Sequence, residues 1–159
     1  MFGSDFCATH IFYIWIFVSG DIIVAPWATL TVKPGTTIKV MNNHDDFNFI
    51  EIESELIDDL MEGDPIYDPR TLRGNFHKNH IGIIVKGNII CKGTPDKPIL
   101  FTSDKEEKHY YDWFGLSIIS GQFEYTTVEY CVSGIYSDGG WHDISIGHCN
   151  IRHVWTAGV

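Results

Sequence analysis

The chain has no basic patch. It carries 11 Lys and Arg against 21 Asp and Glu, a formal net charge of −10. Such a balance repels nucleic-acid phosphates and offers nothing to anionic lipid, so neither partner is expected. Long apolar runs are also missing. Ile11-Phe12-Tyr13-Ile14-Trp15-Ile16-Phe17-Val18 is far shorter than the ~20 residues of a membrane span. It lacks the basic flank and small-residue cleavage site of a signal peptide. Its β-branched and aromatic content predicts a buried strand, the other reading being a remnant of an export signal. Cysteine is sparse: Cys7, Cys91, Cys131 and Cys149 show no C-x-x-C spacing, which argues against a zinc knuckle. They read as small buried apolar residues, with Cys131 and Cys149 spaced for stacked thiols or a disulfide between successive repeats. Serine-hydrolase, nucleotide-binding and zinc-protease signatures are absent, and Lys86-Gly87 and Gly93-Thr94 are turn residues rather than a phosphate cradle.

What the chain does have is repetition. Phe123-Glu124-Tyr125-Thr126-Thr127-Val128-Glu129-Tyr130, then Gly134-Ile135, is echoed by His148-Cys149-Asn150-Ile151-Arg152-His153-Val154, then Gly158-Val159. Val128 and Ile151 lie 23 residues apart. A period of that size made of short strands and turns predicts a solenoid, whose repeats bury their apolar faces only by stacking. Upstream, Asp21–Val24, Ala28–Val32 and Thr36–Val40 are short strands separated by Pro26 and Pro34-Gly35 turns. Each alternates an inward aliphatic with an outward polar residue, so together they make one triangular coil. Ile81–Val85, Asn88–Cys91 and Pro98–Thr102 repeat the scheme, and a charged loop at Ser103–Asp112 leads into Trp113-Phe114-Gly115-Leu116.

One segment interrupts this order. Residues 42–79 hold ten of the 21 acids against Arg70, Arg73 and Lys78. Ser54 is placed to cap a short helix over Glu55–Met61, and Asp64-Pro65 and Asp68-Pro69 break regular structure beyond it. The segment reads as a long acidic excursion from one corner of a single domain spanning 1–159. It has no EF-hand loop, although Asp58, Asp59, Glu62 and Asp64 could gather Ca²⁺ weakly. A solvated acidic loop is the preferred reading of them. No other cofactor is implied.

These phrases carry a family likeness. Gly20-Asp21-Ile22-Ile23-Val24, followed by Ala28-Thr29-Leu30-Thr31-Val32-Lys33-Pro34-Gly35-Thr36-Thr37-Ile38, resembles the opening coil of right-handed parallel β-helix repeat proteins of the pectin-lyase-like superfamily. Ile83–Gly87 through Gly93-Thr94 to Lys97–Ser103 resembles the coil that follows there. Trp113–Leu116 and Tyr125–Tyr130 resemble the next ones. The likeness covers about residues 20–40 and 80–159. It implies an all-β, right-handed parallel β-helix of about four to six coils, and favours an extracellular or cell-surface location. It carries over no catalytic residue. Two departures stand out: Trp27 replaces a usual Gly in the first turn, and the sequence stops as a new coil begins. The second suggests a fragment, its uncapped C-terminal coil open to stacking or self-association.

Candidate chemistry is sparse. Arg152 should face outward one rung above Glu129, as a solvent-face ion pair or as a catalytic pair. Glu124 and Glu129 are five apart, on one bent strand or on two. Retaining hydrolysis needs carboxylates ~5 Å apart, a spacing the sequence alone does not supply. Asp138, His142, Asp143 and His148 surround Trp141 in a Gly-rich loop, a composition that could serve a sugar or metal site but is better read as a solvated corner. Trp113, Trp141 and Trp155 sit at successive corners, where they could stack on sugar rings or pack coil against loop. The expectation is therefore a non-catalytic β-solenoid of an extracytoplasmic or surface protein that contacts polysaccharide through its exposed sheet. The alternative is a polysaccharide lyase or glycoside hydrolase of the pectin-lyase-like type, working near Glu129, Arg152, Asp138 and Asp143.

Overall fold

The computed structural model describes residues 14–42, 80–137 and 143–155. These form ten strands and, among the described residues, no helix. In chain order they are β1 (Ile14–Val18), β2 (Ile22–Val24), β3 (Thr29–Val32), β4 (Thr36–Val40), β5 (Gly82–Lys92), β6 (Ile99–Ser103), β7 (Trp113–Glu124), β8 (Thr126–Tyr136), β9 (Ile144–Gly147) and β10 (Asn150–Val154).

All strand pairs are parallel, and the strands form a continuous sheet bent around an apolar interior. Three ladders compose it. The first runs from β2 through the starts of β5 and β7 to the end of β8. The second joins β3, the later halves of β5 and β7, and β9. The third stacks β1, β4, β6, β8 and β10. Strands β5, β7 and β8 each belong to two ladders, so a single strand turns a corner and the sheet nearly closes on itself in a solenoid-like manner.

Register follows the inward aliphatics, because a slip of one residue would turn every one of them to water. In the third ladder Ile16 pairs Ile38, Ile38 pairs Phe101, Phe101 pairs Val128 and Val128 pairs Ile151, one apolar column across five strands. The 23-residue period is therefore one rung. In the second ladder Val32, Cys91, Phe123 and Ile146 form the matching column. Phe101, Phe123, Ile89 and Val128 are fully buried, each worth about 1.5–3 kcal/mol relative to exposure. Gly115 is required where β7 meets β8: its φ is +121°, and a Cβ would run into the Ser133 carbonyl oxygen.

One feature corrects the expectation of a buried first strand, and a second settles an alternative left open for the cysteines. Ile14–Val18 is a strand, but only Val18 is buried. Ile14, Trp15, Ile16 and Phe17 are 44–60% exposed. The reason is position: among the described residues β1 pairs only with β4, so Ile16 continues the inner column past its last full rung with a described strand on one side. The three described thiols are all free. Cys131 lies in register with Val154, while Cys149 is close enough to Cys91 to raise its pKa. The Cys131–Cys149 bridge is therefore not formed. Cys7, the 43–79 part of the excursion and the expected helix over Glu55–Met61 lie outside the described residues.

Candidate functional site

Two outward faces carry the polar chemistry. On the third ladder one outward row reads Phe17, Lys39, Thr102, and continues through Glu129 to Arg152. The expected pairing of Arg152 over Glu129 is present: Nε donates to Oε2 at 2.8 Å and Nη2 approaches the same oxygen at 2.7 Å. The Thr102 hydroxyl donates to the other oxygen, Oε1, at 2.9 Å, and Lys108 Nζ donates to Thr102 Oγ1 at 3.1 Å. The pair is not on an open solvent face, as the sequence suggests. The Glu129 side chain is 7% exposed and that of Arg152 52%.

Beside it lies the loop at 104–112, held against Thr102 through Lys108. Lys105 N–H donates to Ser103 Oγ. The Asp112 carboxylate accepts from His109 N–H at 3.0 Å, Asn42 Nδ2 at 3.1 Å and Lys105 Nζ at 3.2 Å. Burial pushes the Asp112 carboxyl up, but the His109 N–H, the Ser103 hydroxyl and Lys105 outweigh it and hold its pKa below the ordinary 3.8. Trp113 lies beneath, fully buried, its indole N–H donating to the Glu129 carbonyl oxygen at 3.0 Å. It has no face for a sugar ring. With both carboxylate oxygens engaged, Glu129 serves as a charge-assisted clasp between rungs.

The remaining sequence candidates are dispersed. Glu124 ends β7 and Glu129 lies within β8, with the break at Tyr125, whose φ is +45°. Glu124 packs against Gly147 on the second ladder. Asp143 is exposed at the start of β9, also on the second ladder, and its carbonyl accepts from Gly121 N–H. Trp155, 38% exposed, follows β10 and donates its backbone N–H to the Cys131 carbonyl. Asp138, Trp141 and the acids Asp58, Asp59, Glu62 and Asp64 lie outside the described residues. Among the described residues no three His, Cys, Asp or Glu side chains gather to hold a metal ion. The thiols are also poor nucleophiles. Burial, helped by nearby Cys149, pushes Cys91 up to about 12, and burial plus the Glu129 charge raises Cys131.

The second ladder presents a different surface. Its central outward rows are Thr29, Asn88 and Ser120, then Thr31, Ile90, Gln122 and Ser145. None is ionisable. Lys92 and Glu124 stand in register along one margin. At the opposite margin Trp27, 89% exposed, sits on the turn between β2 and β3. The sequence marks Trp27 as a departure in the first turn, consistent with a tilted corner or a surface aromatic, but does not assemble this face. The available signal is the outward alternate of each strand, read down successive rungs rather than along one.

No family model, no curated protein and no solved structure matches this chain.

Proposed function

We propose that the chain is a right-handed parallel β-helix of the pectin-lyase-like kind, of about four to six coils. In this reading it belongs to an extracytoplasmic or surface protein and is non-catalytic, presenting a flat face to carbohydrate. Three ladders that share corner-turning strands, and an inner column five strands deep, support the fold. The observation that carries the function is the outward face of the second ladder. Thr29, Thr31, Asn88, Ser120, Gln122 and Ser145 set hydroxyls and amides on a rigid pleated surface with no charge among them. Such groups donate to and accept from sugar hydroxyls, and adjacent rungs about 4.8 Å apart give a regular array for a linear polymer.

Glycoside hydrolysis would need a second carboxylate beside the first. Glu129 instead spends both oxygens on Thr102 and Arg152, which disfavours the catalytic alternative at that place.

Affinity electrophoresis and calorimetry against a panel of neutral and uronate polysaccharides test the reading. Retardation by at least one glycan is expected, at a Kd of about 1 mM or tighter, unchanged by Glu129→Gln and without product release. Release of reducing ends or unsaturated uronates with Ca²⁺ present would replace it with the enzyme reading. No retardation by any glycan would remove the carbohydrate contact.

A further inference from the structure

A groove of about 390 Å³ opens at the corner beside this face, lined by Trp27, Lys86, Gly87, Asn88, Ile119 and Ser120 among others. Its size falls at the low end of small-ligand sites, about 300–1,000 Å³. Its wall is held firmly. Pro26 and Trp27 occupy the middle of a turn closed by Ala28 N–H donating to the Ala25 carbonyl at 3.0 Å, and Pro at that first central position presets φ. The turn is tied to the next rung, because Asn88 N–H donates to the Ala28 carbonyl at 3.0 Å. Gly87 allows this approach: a Cβ there would collide with the Ala28 carbonyl oxygen. The backbone beneath this exposed indole is already constrained, so covering it with a ligand orders the side chain but not the turn.

The floor and rim add chemistry of a definite kind. Ile119 is 39% exposed and apolar. Ser120 Oγ lies 3.2 Å from Asn88 Oδ1 and 3.3 Å from the Asp143 carbonyl, either of which can take its proton. That contact holds the Asn88 amide, which carries both a donor and an acceptor, against Ser120 at the groove. Lys86 supplies an ammonium donor, and among the described residues no carboxylate side chain lines the groove.

We propose that this groove is the subsite that takes one hexopyranose ring of a neutral polysaccharide. The C–H face of the ring stacks on Trp27 and Ile119, and its edge hydroxyls meet Asn88, Ser120 and Lys86. Equatorial hydroxyls leave a ring face lined with C–H, the complement of an indole. They point outward in the ring plane, where the donors stand. A neutral chain fits better than a polyuronate, because a protein of net charge −10 repels a polyanion at long range and one Lys does not reverse that. The inference rests on the carbohydrate-binding reading above and names the place of contact.

The test uses cellohexaose and soluble β-glucan as neutral probes and polygalacturonate as the anionic one. Calorimetry is paired with iodide quenching of tryptophan fluorescence, on the native chain, Trp27→Ala, Trp27→Phe and Lys86→Ala. Neutral glycan should bind the native chain and shield a quenchable tryptophan. Trp27→Ala should weaken binding about tenfold or more, which is about 1.4 kcal/mol. Trp27→Phe should recover part of the loss, and thermal unfolding should not change. Equal binding by Trp27→Ala would overturn the groove while leaving the glycan reading standing. A preference for polygalacturonate that fades with salt and with Lys86→Ala would overturn the neutral-ring assignment. No binding of any probe by the native chain would overturn both.

Discussion

The second and third ladders share the same rung spacing and the same apolar interior, yet they treat their outward side chains in opposite ways. The third ladder stacks Lys39, Thr102, Glu129 and Arg152 and then brings the 104–112 loop against Thr102 through Lys108, beside the buried Glu129, ending in the Asp112 latch. The second ladder leaves Thr31, Gln122 and Ser145 bare, with Trp27 at one margin. Charge placed outward on a stacked sheet must be matched from rung to rung, and once matched it can be covered. Uncharged outward groups need no such matching, so that face stays open to another molecule.

The sharpest way to break the contrast is Arg152→Ala. It leaves the buried Glu129 carboxylate without its cation, and stranding a buried charge in this way costs about 3 kcal/mol, measurable by urea unfolding. The reverse change, Glu129→Ala, frees a half-exposed guanidinium that water can solvate. It should cost less, about 1–2 kcal/mol. If the two variants cost the same, the asymmetry of burial across the pair has no energetic weight.

The latch comes next. Asp112→Asn keeps some hydrogen bonds but loses the charge facing Lys105, and should cost about 1–2 kcal/mol. Because the folded-state pKa of Asp112 is lowered from 3.8, its contribution is present above that pH and is lost as pH falls through the lower folded value. Proteolysis within 104–112 should therefore rise at acid pH in the native chain, and already at neutral pH in Asp112→Asn. A cleavage rate in the native chain that is flat from neutrality down to pH 2 would show that Asp112 does not hold the loop.

The smallest effect belongs to the bare face. Gln122→Ala and Ser145→Ala should each change stability by no more than about 0.5 kcal/mol. A loss above 1 kcal/mol from either would mean that the second ladder is also structurally committed.

The ladders were legible in the residues because their cause is local and periodic. The Val128 and Ile151 spacing is one rung, and the Pro34-Gly35 turn separates β3 from β4 as expected. The outward pairing of Arg152 with Glu129 followed from strand alternation alone. What was not legible depends on partners far away in sequence. The loop set beside Glu129 comes from about 20 residues upstream, pinned in part by Asn42, 70 residues from Asp112. The open groove at Trp27 is made by three segments meeting at a corner. The exposure of β1 depends on having a described strand on one side only, which no property of Ile14–Phe17 discloses.

Four residues at the corners of the third ladder have positive φ without being glycine: Tyr125, Tyr130, His148 and His153. Tyr125 stacks on His148 and Tyr130 on His153, each at 4.7 Å between ring centres and with the rings nearly parallel. A left-handed backbone is costly for such bulky residues, of order 1–3 kcal/mol each, so both corners are held in place by the rungs around them. These stacks act as rulers. Four residues stand between each pair of corners, and one more or one fewer would pull both stacks out of line at once. Change in length should therefore accumulate in the connections at 93–98 and 104–112, while the segments 126–129 and 149–152 vary in residue type but not in number.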